Sequence, residues 1–257
     1  MISVRNLYKH FGGVQAVNGI SLEIKTGLIT GLIGPNGAGK TTLFNLIAGI
    51  FPPDQGQILL DGEDVSGFKP HQLFSKGLLR TFQIPHEFHS LTARENLMMV
   101  VPNQLGESLT SAWLHRKTLH QQEREIAIKA DEVMEFLNIR HVADEQAGNL
   151  SGGQKKLLEL GRTMMVDAKV VILDEVGAGV NRTLLKEIGD AIELMNQEKG
   201  YTFCMIEHDM DFISRLCNPV IVMAEGKLLT EGSAEEVKSN EMVIEAYLGR
   251  GASKGLS

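Results

Sequence analysis

With 257 residues, 43% hydrophobic and 22% charged, the chain has the balance of a soluble globular protein and the length for one large domain or a domain carrying an inserted subdomain. A formal net charge of −7 argues against nonspecific nucleic-acid binding, and no apolar run approaches the ~20 residues that span a bilayer. Cys204 and Cys217 stand in apolar contexts without metal-ligand spacing, which predicts buried free thiols in a reducing compartment.

A strand is predicted from Ile2 to Leu7, with no signal peptide ahead of it, so the expected location is cytoplasmic, with any membrane association made through a partner. Ala16 to Ile24 predicts a second, looser strand. Between them lie Tyr8-Lys9-His10-Phe11-Gly12-Gly13. An aromatic at a strand end is usually core. Here it comes shortly before a glycine-rich loop, so Phe11 is the candidate to stack on a purine face, with Val17 as an apolar wall. Such stacking is worth about 1–3 kcal/mol per base.

The loop is Gly34-Pro35-Asn36-Gly37-Ala38-Gly39-Lys40-Thr41-Thr42. It follows the apolar run Leu28 to Ile33, which reads as a buried strand, and opens into Leu43-Phe44-Asn45-Leu46-Ile47-Ala48, which reads as a helix. Strand, G-x-x-x-x-G-K-T and helix together make a phosphate-binding hypothesis. Glycines let backbone N–H groups converge on an anion, and the helix adds its positive end. Lys40 reaches β- and γ-phosphates, and the Thr41 hydroxyl can ligand Mg²⁺. The alternative is a glycine-rich turn that happens to precede a lysine.

Pro52 to Gly56 is a turn and Gln57 to Leu60 a short strand. Leu79-Arg80-Thr81-Phe82-Gln83 predicts a strand running into a loop. The Gln83 amide can coordinate Mg²⁺ or orient a water, although a solvated loop glutamine is the default. From about Thr92 to Asn149 the pattern turns helical, and Ile126, Ala130, Val133, Met134 and Leu137 share one helical face. Residues 102–115 are expected to form a loop.

Leu150-Ser151-Gly152-Gly153-Gln154 heads another apolar-periodic helix. Ser-x-x-Gln fits a capping box. The same residues also suit a second anion site of serine hydroxyl, glycine N–H groups and helix N-terminus. Paired glycines weaken a helix start, which suggests that something approaches the backbone closely. Val170 to Leu173 is a buried parallel strand ending in Asp174-Glu175, where ligands bind in open α/β sheets. Asp174 is the candidate to hold Mg²⁺ through water, and Glu175 the general base for an attacking water. Adjacent acids otherwise mean a solvated turn.

Leu184 to Gln197 is helical, and Tyr201 to Ile206 is a buried strand that ends at Glu207-His208-Asp209. His208 is the candidate to contact the γ-phosphate. Val220 to Met223 and Leu228 to Glu231 predict a hairpin turning at Glu225-Gly226-Lys227, followed by an amphipathic helix around Glu241 to Leu248. Gly249 to Ser257 is expected to be mobile.

In this order the pieces resemble the ATP-binding-cassette ATPase family over nearly the whole chain. The matches are Phe11 as the adenine-stacking aromatic, Gly34 to Thr42 as Walker A, Gln83 as the Q-loop and Leu150 to Gln154 as the signature. Val170 to Asp174 matches Walker B, Glu175 the catalytic base and His208 the switch histidine. The resemblance implies an α/β P-loop NTPase fold, with a RecA-like core (about 1–90 and 160–235), an antiparallel β subdomain and an inserted helical subdomain (about 91–159). A single domain over 1–250 would precede a tail at 251–257.

Arg80-Thr81-Phe82-Gln83, Ala178-Gly179-Val180-Asn181, Ile206 to Met210 and Glu245 to Gly249 are similar to branched-chain amino-acid importer ATPases. Urea-type importers and lipopolysaccharide-export ATPases share them. One departure stands out. The family usually has proline after the catalytic glutamate, where this chain has Val176-Gly177, which predicts a freer loop and slower turnover.

The resemblance further implies a head-to-tail dimer with an identical or paralogous ATPase subunit. ATP and Mg²⁺ would lie between Walker A of one copy and Ser151, Gly152, Gly153 and Gln154 of the other. Membrane permease subunits, and indirectly a solute-binding protein, would be the remaining partners, holding the chain at the inner face of the cell membrane. Phe82, Ile84 and Phe88 are the candidates for the permease groove. A soluble mechanical cassette ATPase usually has a long coiled-coil insert or tandem cassettes, and this chain has neither. A P-loop kinase has no use for Leu150 to Gln154.

Overall fold

A computed structural model describes residues 1–81, 87–107 and 116–248. The first strands build an antiparallel sheet from β1 (Ile2–Phe11), β2 (Val14–Ile24), β4 (Gln55–Leu60) and β5 (Glu63–Asp64), in the order β2-β1-β4-β5. Alternation sends Ile2 and Val4 inward, and a register shift between Val4 and Leu7 returns Leu7 to the same buried set.

The second sheet holds β3 (Ile29–Ile33), β6 (Leu78–Arg80), β7 (Val170–Asp174), β8 (Thr202–Ile206), β9 (Val220–Ala224) and β10 (Lys227–Gly232), ordered β10-β9-β3-β8-β7-β6. All its pairs are parallel except β9 with β10. Every residue of β3, β7 and β8 is buried, as a parallel sheet covered on both faces requires. Of the strand expected over Leu79 to Gln83, β6 covers Leu79 and Arg80, the Thr81 N–H donates to the Ile172 carbonyl at 2.9 Å, and Phe82 and Gln83 lie outside the described residues.

The helix α1 (Lys40–Ile47) buries Leu43, Phe44, Leu46 and Ile47 in one cluster with Ile2, Val4, Ile20 and Ile58 of the first sheet and Leu32, Ile172 and Ile206 of the second. Each such side chain contributes about 1.5–3 kcal/mol on burial. α2 (Pro70–Ser75) precedes β6. Later come α7 (Met210–Leu216), α8 (Ala234–Ser239) and α9 (Glu241–Leu248). The Asp209 carboxylate caps α7, accepting the N–H groups of Asp211 and Phe212. Cys204 and Cys217 are free and buried, and burial pushes the Cys217 thiol up to about 12.

By contact the chain divides into two units. One comprises the described residues of Met1–Gln83, Lys169–Ala178 and Ile192–Ser257, and the other those of Ile84–Ala168 and Gly179–Ala191. The second unit is helical: α3 (Ala93–Met98), α4 (Arg116–Phe136), α5 (Gly152–Met165) and the first part of α6 (Arg182–Lys199). The predicted face of Ile126, Ala130, Val133, Met134 and Leu137 is buried throughout. Gly161 of α5 lets the helices close up, since a Cβ there would meet Leu97, Leu137 and Val133 at 3.0–3.2 Å. Of the loop expected over 102–115, residues 105–107 form a 3₁₀ turn and 108–115 lie outside the described residues. So do Phe82 to His86 and Gly249 to Ser257, and with them Gln83 and the tail. Among the described residues no helix is long and apolar enough to cross a membrane.

Candidate active site

β3 delivers the chain into the loop and α1 takes it away. Two loop glycines are sterically obligatory. A Cβ on Gly34 (φ 150°) would sit 2.1 Å from the Met223 carbonyl oxygen, and one on Gly39 (φ 94°) 2.2 Å from that of Ala16. The loop therefore lies flush against β9 and β2. Gly39 is also the N-cap of α1 and offers no side-chain cap. The first-turn N–H groups of a helix have no intrahelical partner, so here they face outward as donors for an anion.

Lys40 is buried, and its Nζ donates to the Gly34 and Pro35 carbonyls at 2.7 and 3.1 Å. Burial lowers its pKa from the ordinary lysine value, while the negative charges of Glu175 and Asp174 act in the opposite direction. A cavity of about 500 Å³ is lined by Asn36, Gly37, Ala38, Gly39, Lys40, Thr41 and Thr42, together with Glu175 and His208. Loop, lysine, acid and histidine, scattered from 36 to 208 in sequence, thus share one space.

Glu175 follows β7 with a φ of 52°, unusual for a residue with a Cβ. Its N–H donates to the Ile206 carbonyl at 2.9 Å and its carbonyl accepts the Ala178 N–H at 3.1 Å. Its Oε1 lies 3.0 Å from His208 Nε2. Val176 is buried, and the Gly177 N–H donates to Glu207 Oε1 at 2.7 Å. Side-chain burial and this hydrogen bond are the contacts that the Val176-Gly177 turn makes in the structure.

Asp174 is buried, and its Oδ2 accepts from an Arg80 guanidinium nitrogen at 2.7 Å. The other guanidinium arm reaches Asn45 of α1. One arginine thus ties together the ends of β6 and β7 and the first helix. An acid carboxylate and the Thr41 hydroxyl are hard oxygen donors of the kind Mg²⁺ takes alongside substrate phosphates and water. Their chemistry fits that ion.

Phe11 is 48% exposed and packs edge-on against Phe51, with ring centroids 5.4 Å apart. It does not line the cavity, which Val14, Gln15 and Ala16 border instead. The wall expected of Val17 is a correction. That side chain is fully buried in the core cluster and offers no surface to a ligand.

In the helical unit, Ser151 and Gln154 cap α5 reciprocally. The Ser151 N–H donates to Gln154 Oε1 at 2.9 Å, and the Gln154 N–H donates to Ser151 Oγ at 3.3 Å. The two glycines separate in meaning. A Cβ on Gly153 would strike Leu184 Cδ1 at 1.8 Å, so packing explains it, whereas a Cβ on Gly152 meets nothing within 4 Å. Ser151 and Gly152 are exposed.

Sequence reasoning passed over Val14, Gln15, Ala16 and Glu225 as cavity residues, Asn45 as a partner of Arg80, and Glu207. Only Glu207 carried a signal, as an acid closing the apolar run of β8 directly before His208.

Residues 17–178 match the ABC transporter family model, and residues 227–253 match a model described as branched-chain amino acid ATP-binding cassette transporter. A probable branched-chain amino acid transport ATP-binding protein LivG of Archaeoglobus fulgidus is 39% identical over 254 residues, covering 97% of this chain and 95% of the relative. The high-affinity branched-chain amino acid transport ATP-binding protein BraF of Pseudomonas aeruginosa is 35% identical over 249 residues, covering 97% and 98%. Among solved structures, a nucleotide-free ATP-binding cassette from an ABC transporter superposes with a TM-score of 0.83 at 35% identity, covering 97% of this chain and 99% of that one. An ATP-binding cassette in its ADP conformation gives the same score and identity, covering 97% and 98%. With a capless glycine loop, a buried lysine and an acid–histidine pair around one cavity, and with these relatives along 97% of its length, the chain belongs to the ABC transporter family as an ATP-hydrolysing cassette.

Proposed function

We propose that this cassette powers uptake of branched-chain amino acids, or solutes of the same type, through separate permease subunits. The observation that carries the chemistry is the single cavity shared by the phosphate loop, Lys40, Glu175 and His208. The names of the relatives and the C-terminal match support the substrate class.

The roles follow from donors and acceptors. The loop N–H groups and the start of α1 receive the phosphates. Lys40 exchanges two carbonyls of its own loop for β- and γ-phosphate oxygens, at little cost in reorganisation because its Nζ already lies beside the loop. Glu175 takes a proton from the attacking water, and His208, 3.0 Å away, orients that carboxylate and contacts the γ-phosphate. Thr41 and Asp174 hold Mg²⁺, with Gln83 as a further ligand. When bound, the ion neutralises charge on the phosphates. The exposed face of Phe11 stacks on adenine.

Ser151, Gly152, Gly153 and Gln154 complete the nucleotide site of a second copy, identical or paralogous. Support comes from Gly152, whose open surroundings leave room for a ligand to approach the backbone. One domain over 1–250 acts as the working unit, held peripherally at the inner face of the membrane, with a solute-binding protein upstream and no nucleic-acid partner. Of the groove residues expected from sequence, Phe88 is exposed beneath the Arg162 guanidinium. An apolar groove of about 340 Å³ lined by Ala48, Ile50, Pro70, His71, Phe74 and Leu79 is a further seat for a permease helix.

The test is affinity capture from membranes together with phosphate release. Co-purifying permease subunits and ATP hydrolysis abolished by Glu175→Gln are expected. Hydrolysis unaffected by that change overturns the assigned base, and capture without any membrane protein overturns the transporter reading.

A further inference from the structure

Glu207 is a carboxylate only 5% exposed that the hydrolytic chemistry does not use. Its Oε1 accepts the Gly177 N–H at 2.7 Å, and its Oε2 lies 3.3 Å from the N–H of His208. Gly177 stands two residues beyond Glu175, so this one side chain bridges the loop that carries the base and the loop that carries the histidine. The same loops meet through Glu175 N–H to the Ile206 carbonyl at 2.9 Å and through Glu175 Oε1 to His208 Nε2 at 3.0 Å.

Glu175 has particular need of such a bond. Its φ of 52° is a conformation that residues with a Cβ rarely adopt and keep only when their surroundings impose it. Burial of Val176 anchors a side chain but leaves the orientation of the next peptide open. The part-buried Gly177 N–H takes Glu207 as its acceptor, which fixes that peptide's orientation. Burial raises the Glu207 pKa, while the two backbone N–H groups favour its charged form.

We infer that Glu207 is a positioning residue, locking the Glu175 loop to the His208 loop so that base and histidine keep their mutual geometry. The inference rests on the assignment of Glu175 and His208 above. It differs from a role in folding alone, which would change the amount or stability of folded protein and leave each folded molecule equally active.

The experiment compares wild type, Glu207→Gln and Glu207→Ala in the full chain, reading kcat and KM for ATP by phosphate release and the His208 ring by ¹⁵N NMR. Glu207→Ala is expected to lower kcat by about 10- to 100-fold, the size seen when a reacting group is displaced by about an ångström, with KM within about twofold. Glu207→Gln falls between, because its amide has one acceptor oxygen for two N–H donors. In wild type, Glu175→Gln shifts the His208 ring resonances; in the Glu207→Ala background that shift is lost. A kcat for either variant within about twofold of wild type overturns the inference, as does a Glu175-dependent shift that survives. Should Glu207→Ala not fold, the isosteric Glu207→Gln decides by the same criteria. A wild-type chain that releases no phosphate overturns the hydrolytic reading instead, and the NMR comparison still tests the strut.

Discussion

Two helices of this chain begin at glycine-rich turns, and the turns are built on opposite principles. The start of α1 has a left-handed glycine as N-cap and no side-chain cap, so its donors are left for an anion. The start of α5 is closed on itself by the Ser151–Gln154 box. The first turn is incomplete as a piece of protein and gains from a phosphate. The second is already capped, and the Ser151 Oγ that accepts the Gln154 N–H at 3.3 Å keeps its own O–H to donate elsewhere. The difference teaches that a glycine-rich helix start keeps its donors open only where no side chain turns back to cap it.

The sharpest break of that contrast is at Lys40. Lys40→Ala is expected to lower phosphate release by about 100-fold or more, as removal of a preorganised charge does, and hydrolysis at the wild-type rate would end the case for the loop. Glu175→Gln is expected to do the same while an ATP-dependent dimer persists in sedimentation. Ser151→Arg should abolish that dimer and leave the monomer folded; an intact ATP-bound dimer would contradict the shared site.

The glycines sharpen it next. Gly34→Ala and Gly39→Ala press a Cβ into a backbone oxygen that cannot yield, so each is expected to destabilise the fold by about 2–4 kcal/mol in denaturant titration. Gly152→Ala fills empty space and should leave stability within about 1 kcal/mol, yet slow hydrolysis by tenfold or more if a second copy's nucleotide approaches that backbone. Ser151→Ala removes one cap and should cost about 1 kcal/mol.

The smallest effect is a pH dependence. Glu207 has a folded pKa raised above the ordinary 4.5, chiefly by burial, so the folded state holds its proton at a pH where the unfolded chain has released it. Stability from this group is present at low pH and declines as pH rises from the unfolded value through the folded one. The melting temperature of Glu207→Gln should therefore gain on wild type across that window, and parallel curves would show that the carboxylate titrates alike in both states.

Much of the site could be read from residues in order because each part is local. A loop, the acids ending β7 and the histidine after β8 each carry their chemistry within a few positions. What could not be read was non-local. Val17 looked available beside Phe11, but strand register turned it into the core. The acceptor of the Gly177 N–H is Glu207, 30 residues away, and nothing beside Val176 announces it.

The sequence by itself determined the family, the order of strands and helices, and the candidates for the reacting groups, since hydrophobic period, glycine and charge at strand ends act over short spans of chain. Only the tertiary structure decided which groups hold those in place. Arg80 joins Asp174 to Asn45, and Glu207 joins Gly177 to His208. The bonds from Arg80 to Asp174 and Asn45 and from Gly177 to Glu207 depend on strand register, which brings distant residues into hydrogen-bond reach and leaves no periodic trace along the chain.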